Sequence, residues 1–257
     1  MTIKPIVRAD AFDYMATLES NSIQLISTDI PYGVTDCTWD VKPDIDKMFT
    51  EFRRLLSDTG TIIMTASEPL ATELRSAALD LYKYDIYWIN YASPTMFIHA
   101  KNTPLRVVEC VLVFSNGAIA HKGKSDRRMT YNPQMREGSP YVKKNYAETM
   151  GGSVVARRPS HKDYTHVNEG TRYPLNAWVI NSANNTEKKQ HSSQKPLLLF
   201  KDLILTFSNE GDNVLDPFCG SGTTAVACKL TGREYYCCDI EQEFVDIANQ
   251  RVKEQLI

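Results

Sequence analysis

Nowhere in its 257 residues does the chain run eighteen apolar residues together, so no segment reads as a membrane-spanning helix. A charged-then-apolar leader is also missing, and a soluble, cytoplasmic protein with no membrane partner is expected. The six cysteines, at 37, 110, 219, 228, 237 and 238, include no Cys-x-x-Cys pair. That disfavours a disulfide framework or zinc site and leaves small buried thiols in a reducing compartment as their reading. Five histidines, four of them between 121 and 191, fall at no metal-ligand spacing, so no metal is expected. Internal repeats and low-complexity tracts are lacking too, which excludes stacked-repeat architectures.

What is present suffices for a core. With 42% hydrophobic residues, the chain can bury one large α/β core plus a modest insert. Apolar runs predict strands near 4–9, 23–28, 60–65, 84–90, 107–114, 213–216 and 234–239. Helices are predicted near 11–19, 44–57, 68–80, 194–207, 222–231 and 241–255. Their alternation implies a mostly parallel sheet with both faces covered.

Two of the strand ends carry turns with chemistry in them. Asn213-Val214-Leu215 runs into Asp216-Pro217-Phe218-Cys219-Gly220-Ser221-Gly222-Thr223-Thr224, and residues of helical composition follow. Two glycines spaced by one residue let backbone approach a ligand closely, and the helix start offers N–H groups without intrahelical partners. Glu234-Tyr235-Tyr236-Cys237-Cys238 then reads as a second strand ending in Asp239, with Ile240 beside it. That is where α/β folds place an acid for ribose hydroxyls. Strand, glycine loop, helix, strand and acid make a nucleoside-binding unit. A dinucleotide fingerprint is disfavoured, because Ala225 stands where its third glycine would fall and Asp216 would face a pyrophosphate.

The other turn, Thr28-Asp29-Ile30-Pro31-Tyr32-Gly33, leaves the apolar strand Ile23-Gln24-Leu25-Ile26-Ser27-Thr28. These residues resemble the Asp-Pro-Pro-Tyr signature of DNA amino-methyltransferases, which methylate N6 of adenine or N4 of cytosine; Ile30 departs from it by replacing the first proline. An exocyclic amine conjugated with its ring is a poor nucleophile and needs acceptors for both hydrogens. The resemblance implies that Asp29 and a carbonyl at Ile30 or Pro31 are those acceptors and that Tyr32 stacks on the base, which makes Asp29, Pro31 and Tyr32 the catalytic set. Stacking stabilises an unpaired base by about 1–3 kcal/mol, comparable with the few kcal/mol needed to flip it from a duplex.

Most of the chain fits the same family. The stretches Ile6–Phe12 and Leu18–Ile26, the strands Trp88–Asn90 and Arg106–Phe114, the segment His191-Ser192-Ser193-Gln194-Lys195-Pro196, and a last helix carrying Phe244, Ala248 and Arg251 all have counterparts there. By this resemblance S-adenosylmethionine is bound by Asp10 and Ala11, by Asp216, Pro217, Phe218, Cys219, Gly220, Ser221, Gly222 and Thr223, and by Asp239 and Ile240. His191 and Lys195 would serve its methionine end. Catalytic motif first, variable segment next and donor motif last is the order of the β group of the family. That group has a Rossmann-like, seven-stranded sheet whose last pair is antiparallel, and it also implies a homodimer. Residues 1–115 would be the catalytic half of the core, 116–190 a target-recognition insert and 191–257 the donor-binding half.

Charge supports the insert. Between His121 and Lys195 lie 14 of the 29 Lys and Arg but only 6 of the 31 Asp and Glu, so a net charge of −2 hides a basic segment on an acidic body. Lys122, Lys124, Arg127, Arg128, Lys143, Lys144, Arg157 and Arg158 interleave there with Tyr131, Tyr141, Tyr146 and Tyr164, as on a surface that tracks phosphates and meets bases. A solvated loop rich in Gly, Pro, Ser and Asn is the plainer reading of the same composition. The expectation is a site-specific methyltransferase of double-stranded DNA, with adenine N6 favoured because Asp rather than Ser leads the motif. The alternatives are cytosine N4, an RNA or protein-amide acceptor, and a non-catalytic DNA-binding protein on this scaffold.

Overall fold

The structure is a computed structural model and describes residues 4–34, 37, 40–119, 127–145, 164–181 and 194–254. His191, Lys122, Lys124, Arg157 and Arg158 lie outside the described residues.

Eight strands form one sheet, in the order β1 (Val7–Arg8), β12 (Glu234–Asp239), β11 (Asn213–Asp216), β2 (Ile23–Thr28), β3 (Leu56–Ala66), β5 (Val108–Ser115), β4 (Tyr82–Ile89) and β10 (Ala177–Val179). Seven run in one direction and β5 runs against them, pairing antiparallel with both β3 and β4. The eighth strand corrects the expected seven. β10 is only three residues long, has an apolar stretch of just Ala177–Ile180, and pairs with one neighbour at the sheet's margin. The indole N–H of Trp88 on β4 donates to the Ile180 carbonyl at 2.8 Å and anchors the chain just past it.

Successive side chains on a strand point to opposite faces, and the core divides accordingly. Leu25, Ile63, Val111 and Val113 face α4 (Leu197–Phe207), α5 (Thr223–Thr231) and α6 (Gln242–Glu254). Ile26, Ile62, Met64 and Leu112 face α1 (Ala11–Ala16), α2 (Ile45–Leu55) and α3 (Leu70–Ala77). Helix α2 shows why such a segment is helical. Ile45, Met48, Phe49, Phe52 and Leu55 recur on one face and are buried, and the Asp44 carboxylate caps the first turn by accepting from the Lys47 N–H at 3.0 Å. Each such side chain contributes about 1.5–3 kcal/mol by leaving water.

Residues 133–175 make a second compact unit, while 1–132 and 176–257 make the first. The second contains two small antiparallel ribbons, β6 (Arg136–Glu137) with β9 (Thr171–Arg172) and β7 (Tyr141–Asn145) with β8 (Tyr164–Asn168). Within it the Tyr141 ring stacks on His166 at 5.8 Å, and the Arg172 guanidinium lies over that ring at 4.8 Å.

Candidate active site

Strands β11 and β2 are neighbours, and from them the chain winds outward in opposite directions. Ligands of open α/β sheets bind at such a switch point, beyond the carboxyl ends of the strands. There the two sequence motifs meet. Asp216 closes β11, and both of its carboxylate oxygens are taken by hydroxyls: Thr28 at the end of β2 donates at 2.8 Å and Thr224 in α5 at 2.6 Å. Burial pushes the Asp216 carboxyl up to about 7, against these two hydrogen bonds. Its role is to tie the two loops together.

Above this tie lies a cavity of about 620 Å³, a size usual for small-molecule sites. Asp29, Pro31 and Tyr32 line one part of it; Asp10, Ala11, residues 216–221, Thr223, Asp239 and Ile240 line another. Gly220, at φ +48, faces open space, with nothing within 4 Å of where a Cβ would stand. A ligand can therefore approach its backbone. Gly222 does not line the cavity: its φ is +78, and a Cβ there would stand 2.6 Å from that of Ala248, so it serves the packing of α6. Asp239 accepts from the Gly220 N–H at 2.8 Å and the Glu241 N–H at 3.0 Å, and Asp10 caps α1 through Phe12 and Asp13. From α6, Arg251 reaches the Ser221 carbonyl at 2.6 Å and the Thr223 hydroxyl at 3.2 Å, bracing the glycine loop from behind.

On the other wall Asp29 belongs to a charge cluster. The Lys195 ammonium lies 3.4 Å from Asp29 and makes a second, shorter ion pair with Glu109 on β5. Thr65 also donates to Asp29, and the Tyr32 hydroxyl stands 3.3–3.4 Å from Asp29, the Thr65 carbonyl and Glu109. Two carboxylates around one ammonium leave a surplus negative charge. The Asp29 carboxyl is raised, first by burial and then by Glu109, while Lys195 and Thr65 pull the other way. Lys195 is raised as well: burial opposes its charge, but Asp29 and Glu109 outweigh it. Burial, Asp29 and Glu109 likewise raise the Tyr32 phenol, which stays a donor.

The turn after Asp29 is held by an unforeseen side chain. One oxygen of the buried Asp40 accepts from the N–H groups of Tyr32 at 2.8 Å and Gly33 at 2.9 Å, and the other accepts from Val34 at 3.0 Å. Successive N–H groups converging on one anion form a nest. Ile30 points into the core at 2% exposure. Burial of its side chain and the Asp40 nest together hold a turn that the family signature stiffens with a first proline.

A family model described as DNA methylase matches residues 23–250. The chain belongs to the DNA methylase family. This methylase is 37% identical over 261 residues to the type II methyltransferase M2.DpnII of Streptococcus pneumoniae, covering 96% of its own length and 89% of the relative's. It is 27% identical to the DNA adenine methyltransferase YhdJ of Escherichia coli, over 97% and 82% of the two chains. Among solved structures, M1.HpyAVI bound to SAM superposes with a TM-score of 0.62 at 20% identity, covering 96% of this chain and 98% of that one. The cytosine-N4-specific PvuII methyltransferase superposes at 0.64 and 15% identity, covering 96% and 85%. At such identities these two speak for the fold.

Several placements depart from the sequence reading of this methylase. The Lys195 ammonium, expected at the donor's methionine end, is directed to Asp29 and Glu109. Arg127 and Arg128 lie away from the cavity. Antiparallel β5 carries the chain back to the amino edge of the sheet, where Arg127 stands 3.8 Å from Asp58 and Arg128 bridges to Ala118. Lys143 and Lys144 are exposed on β7 of the second unit. Tyr131 packs on Phe207 at 6.0 Å. Glu109 and Asp40 were missed. The signal for Glu109 was present, a lone carboxylate in the apolar run Val107–Phe114. Asp40 had no local signal.

Proposed function

We propose that this chain transfers a methyl group from S-adenosylmethionine to the N6 amine of an adenine flipped out of double-stranded DNA. The observation that carries the reading is a single cavity lined by Asp29, Pro31 and Tyr32 together with the Gly220 loop and Asp239. The residues present fit the donor: an open glycine backbone, acids at Asp10 and Asp239, and apolar walls from Phe218 and Phe244. When bound, S-adenosylmethionine supplies an electrophilic methyl group on its sulfonium.

Asp29 accepts one hydrogen of the amine and the carbonyl of Ile30 or Pro31 the other, which turns the nitrogen lone pair toward the donor side. As the nitrogen gains positive charge, the raised carboxyl of Asp29 is suited to take its proton. Lys195 holds Asp29 in place, Glu109 holds Lys195, and the Tyr32 ring stacks on the base. Orientation and exclusion of water supply the main acceleration. Asp in the first motif position and a relative named as a DNA adenine methyltransferase favour adenine over cytosine.

Residues 116–190 are assigned to target recognition, with Lys143 and Lys144 meeting phosphates. The catalytic half is taken as 1–115 and the donor-binding half as 191–257. No described helix is long and apolar enough to cross a membrane; we place the protein in the cytoplasm and infer a homodimer by family likeness.

The test is incubation with methyl-labelled S-adenosylmethionine and unmodified DNA, followed by digestion and identification of the labelled nucleoside by mass spectrometry. N6-methyladenine is the expected product. N4-methylcytosine would overturn the base, and absence of label in DNA with the donor bound would overturn the reaction.

A further inference from the structure

We propose that Phe97 and Ile98, at the tip of the β4–β5 hairpin, are the wedge that enters the duplex beside the target base and fills the gap it leaves. The inference rests on the DNA-methyltransfer reading above and assigns a surface which that reading leaves open. Strands β4 and β5 meet the carboxyl edge of the sheet at Ile89 and Val108, and their pairing continues past it. The Asn90 N–H donates to the Val107 carbonyl at 2.8 Å, and Thr95 and Arg106 exchange bonds of 2.9 and 3.1 Å. Glu109, at the foot of this hairpin, contacts Lys195. Three residue steps of extended chain lead from it to Arg106, so the last rung stands about 10 Å beyond the acid. The tip lies farther out, on the edge over which a duplex must sit for its base to reach Asp29.

The tip is ordered. Met96 turns the chain with φ 71 and ψ 25, and Phe97–His99 form a 3₁₀ turn closed by bonds from the His99, Ala100 and Asn102 N–H groups. The turn holds Phe97 65% exposed and Ile98 89% exposed, the most exposed of the large apolar side chains described. An adjacent apolar pair displayed on a hydrogen-bonded turn marks a contact surface. Its surroundings name the partner: from Asn90 to Val108 the chain carries His99, Lys101 and Arg106 and no acid, which complements phosphates. Architectural DNA-binding proteins insert apolar wedges of this kind between base steps, and an apolar side chain in the space of a flipped base restores contact with the neighbouring bases. A second copy of this chain fits poorly. Two side chains fall far short of the roughly 800 Å² per partner that a stable dimer buries, and a symmetric contact would bring Lys101 and Arg106 against their own copies.

The test compares wild type with a Phe97→Ala/Ile98→Ala variant on a duplex bearing the methylated sequence, first read from DNA the wild type has modified, and on the same duplex with the base opposite the target removed. Flipping is cheaper on the second. The variant is expected to lose about tenfold or more in kcat/KM on the paired duplex, and to return to within about threefold of wild type on the other. It should give a smaller fluorescence rise from 2-aminopurine at the target position, with unchanged donor affinity by calorimetry. Paired-duplex activity within twofold of wild type, or an equal deficit on both duplexes, overturns the proposal. So does loss of self-association by sedimentation with flipping intact, which would make the tip a contact between copies. If the wild type methylates no DNA, the methyltransfer reading falls and the wedge falls with it.

Discussion

Replacing Asp40 with alanine removes the acceptor of three N–H groups at once, and the structure says how unequal the three losses are. Gly33 and Val34 are exposed, so water can take over their donors, whereas Tyr32 is half-buried. One buried donor left unmet costs about 1–3 kcal/mol, and exchanging two charge-assisted bonds for water adds a smaller amount. A loss of about 2–3 kcal/mol in stability is expected, or roughly 5–10 °C in Tm for a chain of this size. Catalysis should suffer more. A displacement of about 1 Å in a positioned group costs on the order of a hundredfold in rate, and the released turn carries both the carbonyl acceptors and the Tyr32 ring. Kinetics on DNA should show kcat falling about a hundredfold, while donor affinity by calorimetry stays within about threefold. Asp40→Asn supplies the control: the oxygen shared by Tyr32 and Gly33 can be kept, and of these three bonds the one to Val34, replaceable by water, is lost. It should retain activity within about tenfold of wild type. An Asp40→Ala enzyme turning over within threefold of wild type, or an asparagine variant as impaired as the alanine one, would refute the reasoning.

Three further outcomes follow from the same geometry. The carboxyl of Asp216 is near 7 in the folded chain and about 3.9 when unfolded. The native state therefore binds the extra proton between these values, and stability falls by about 1.4 kcal/mol per pH unit as pH rises from 5 to 7; thermal melts of Asp216→Asn across this range should lack that slope. Glu109→Gln removes the like charge that raises Asp29, so the acidic limb of the kcat–pH profile should move to lower pH, and an unmoved limb would separate Glu109 from the proton chemistry. Gly222→Ala would put a Cβ on a residue at φ +78 and only 2.6 Å from that of Ala248, and should cost about 2–4 kcal/mol in denaturant unfolding. Gly220→Ala meets only open space; it should cost about 1–2 kcal/mol in stability and show its main effect as weakened donor binding by calorimetry.

Residue order reveals here whatever short-range rules control. The apolar runs of β2, β3 and β5, the apolar stripe of α2, the glycine turn after β11 and the Asp-x-Pro-Tyr turn after β2 are all legible, because each arises within a few residues of backbone geometry. Tertiary structure alone decided which distant groups meet. Lys195 finds Glu109 across 86 positions and Asp216 finds Thr28 across 188. Neither pairing has a local pattern, since it depends on β11 settling beside β2 and on β5 entering the sheet in reverse. The same reversal carried Arg127 and Arg128 to the far edge, although composition grouped them with the basic insert. Asp40 lies only a few residues from the turn it holds, yet an acceptor of three N–H groups is recognisable only once the chain has curled around it. Strand β10 was hidden for a related reason: a four-residue apolar stretch, Ala177–Ile180, does not by itself distinguish a strand, and what holds this margin strand in place is backbone pairing and the Trp88 anchor.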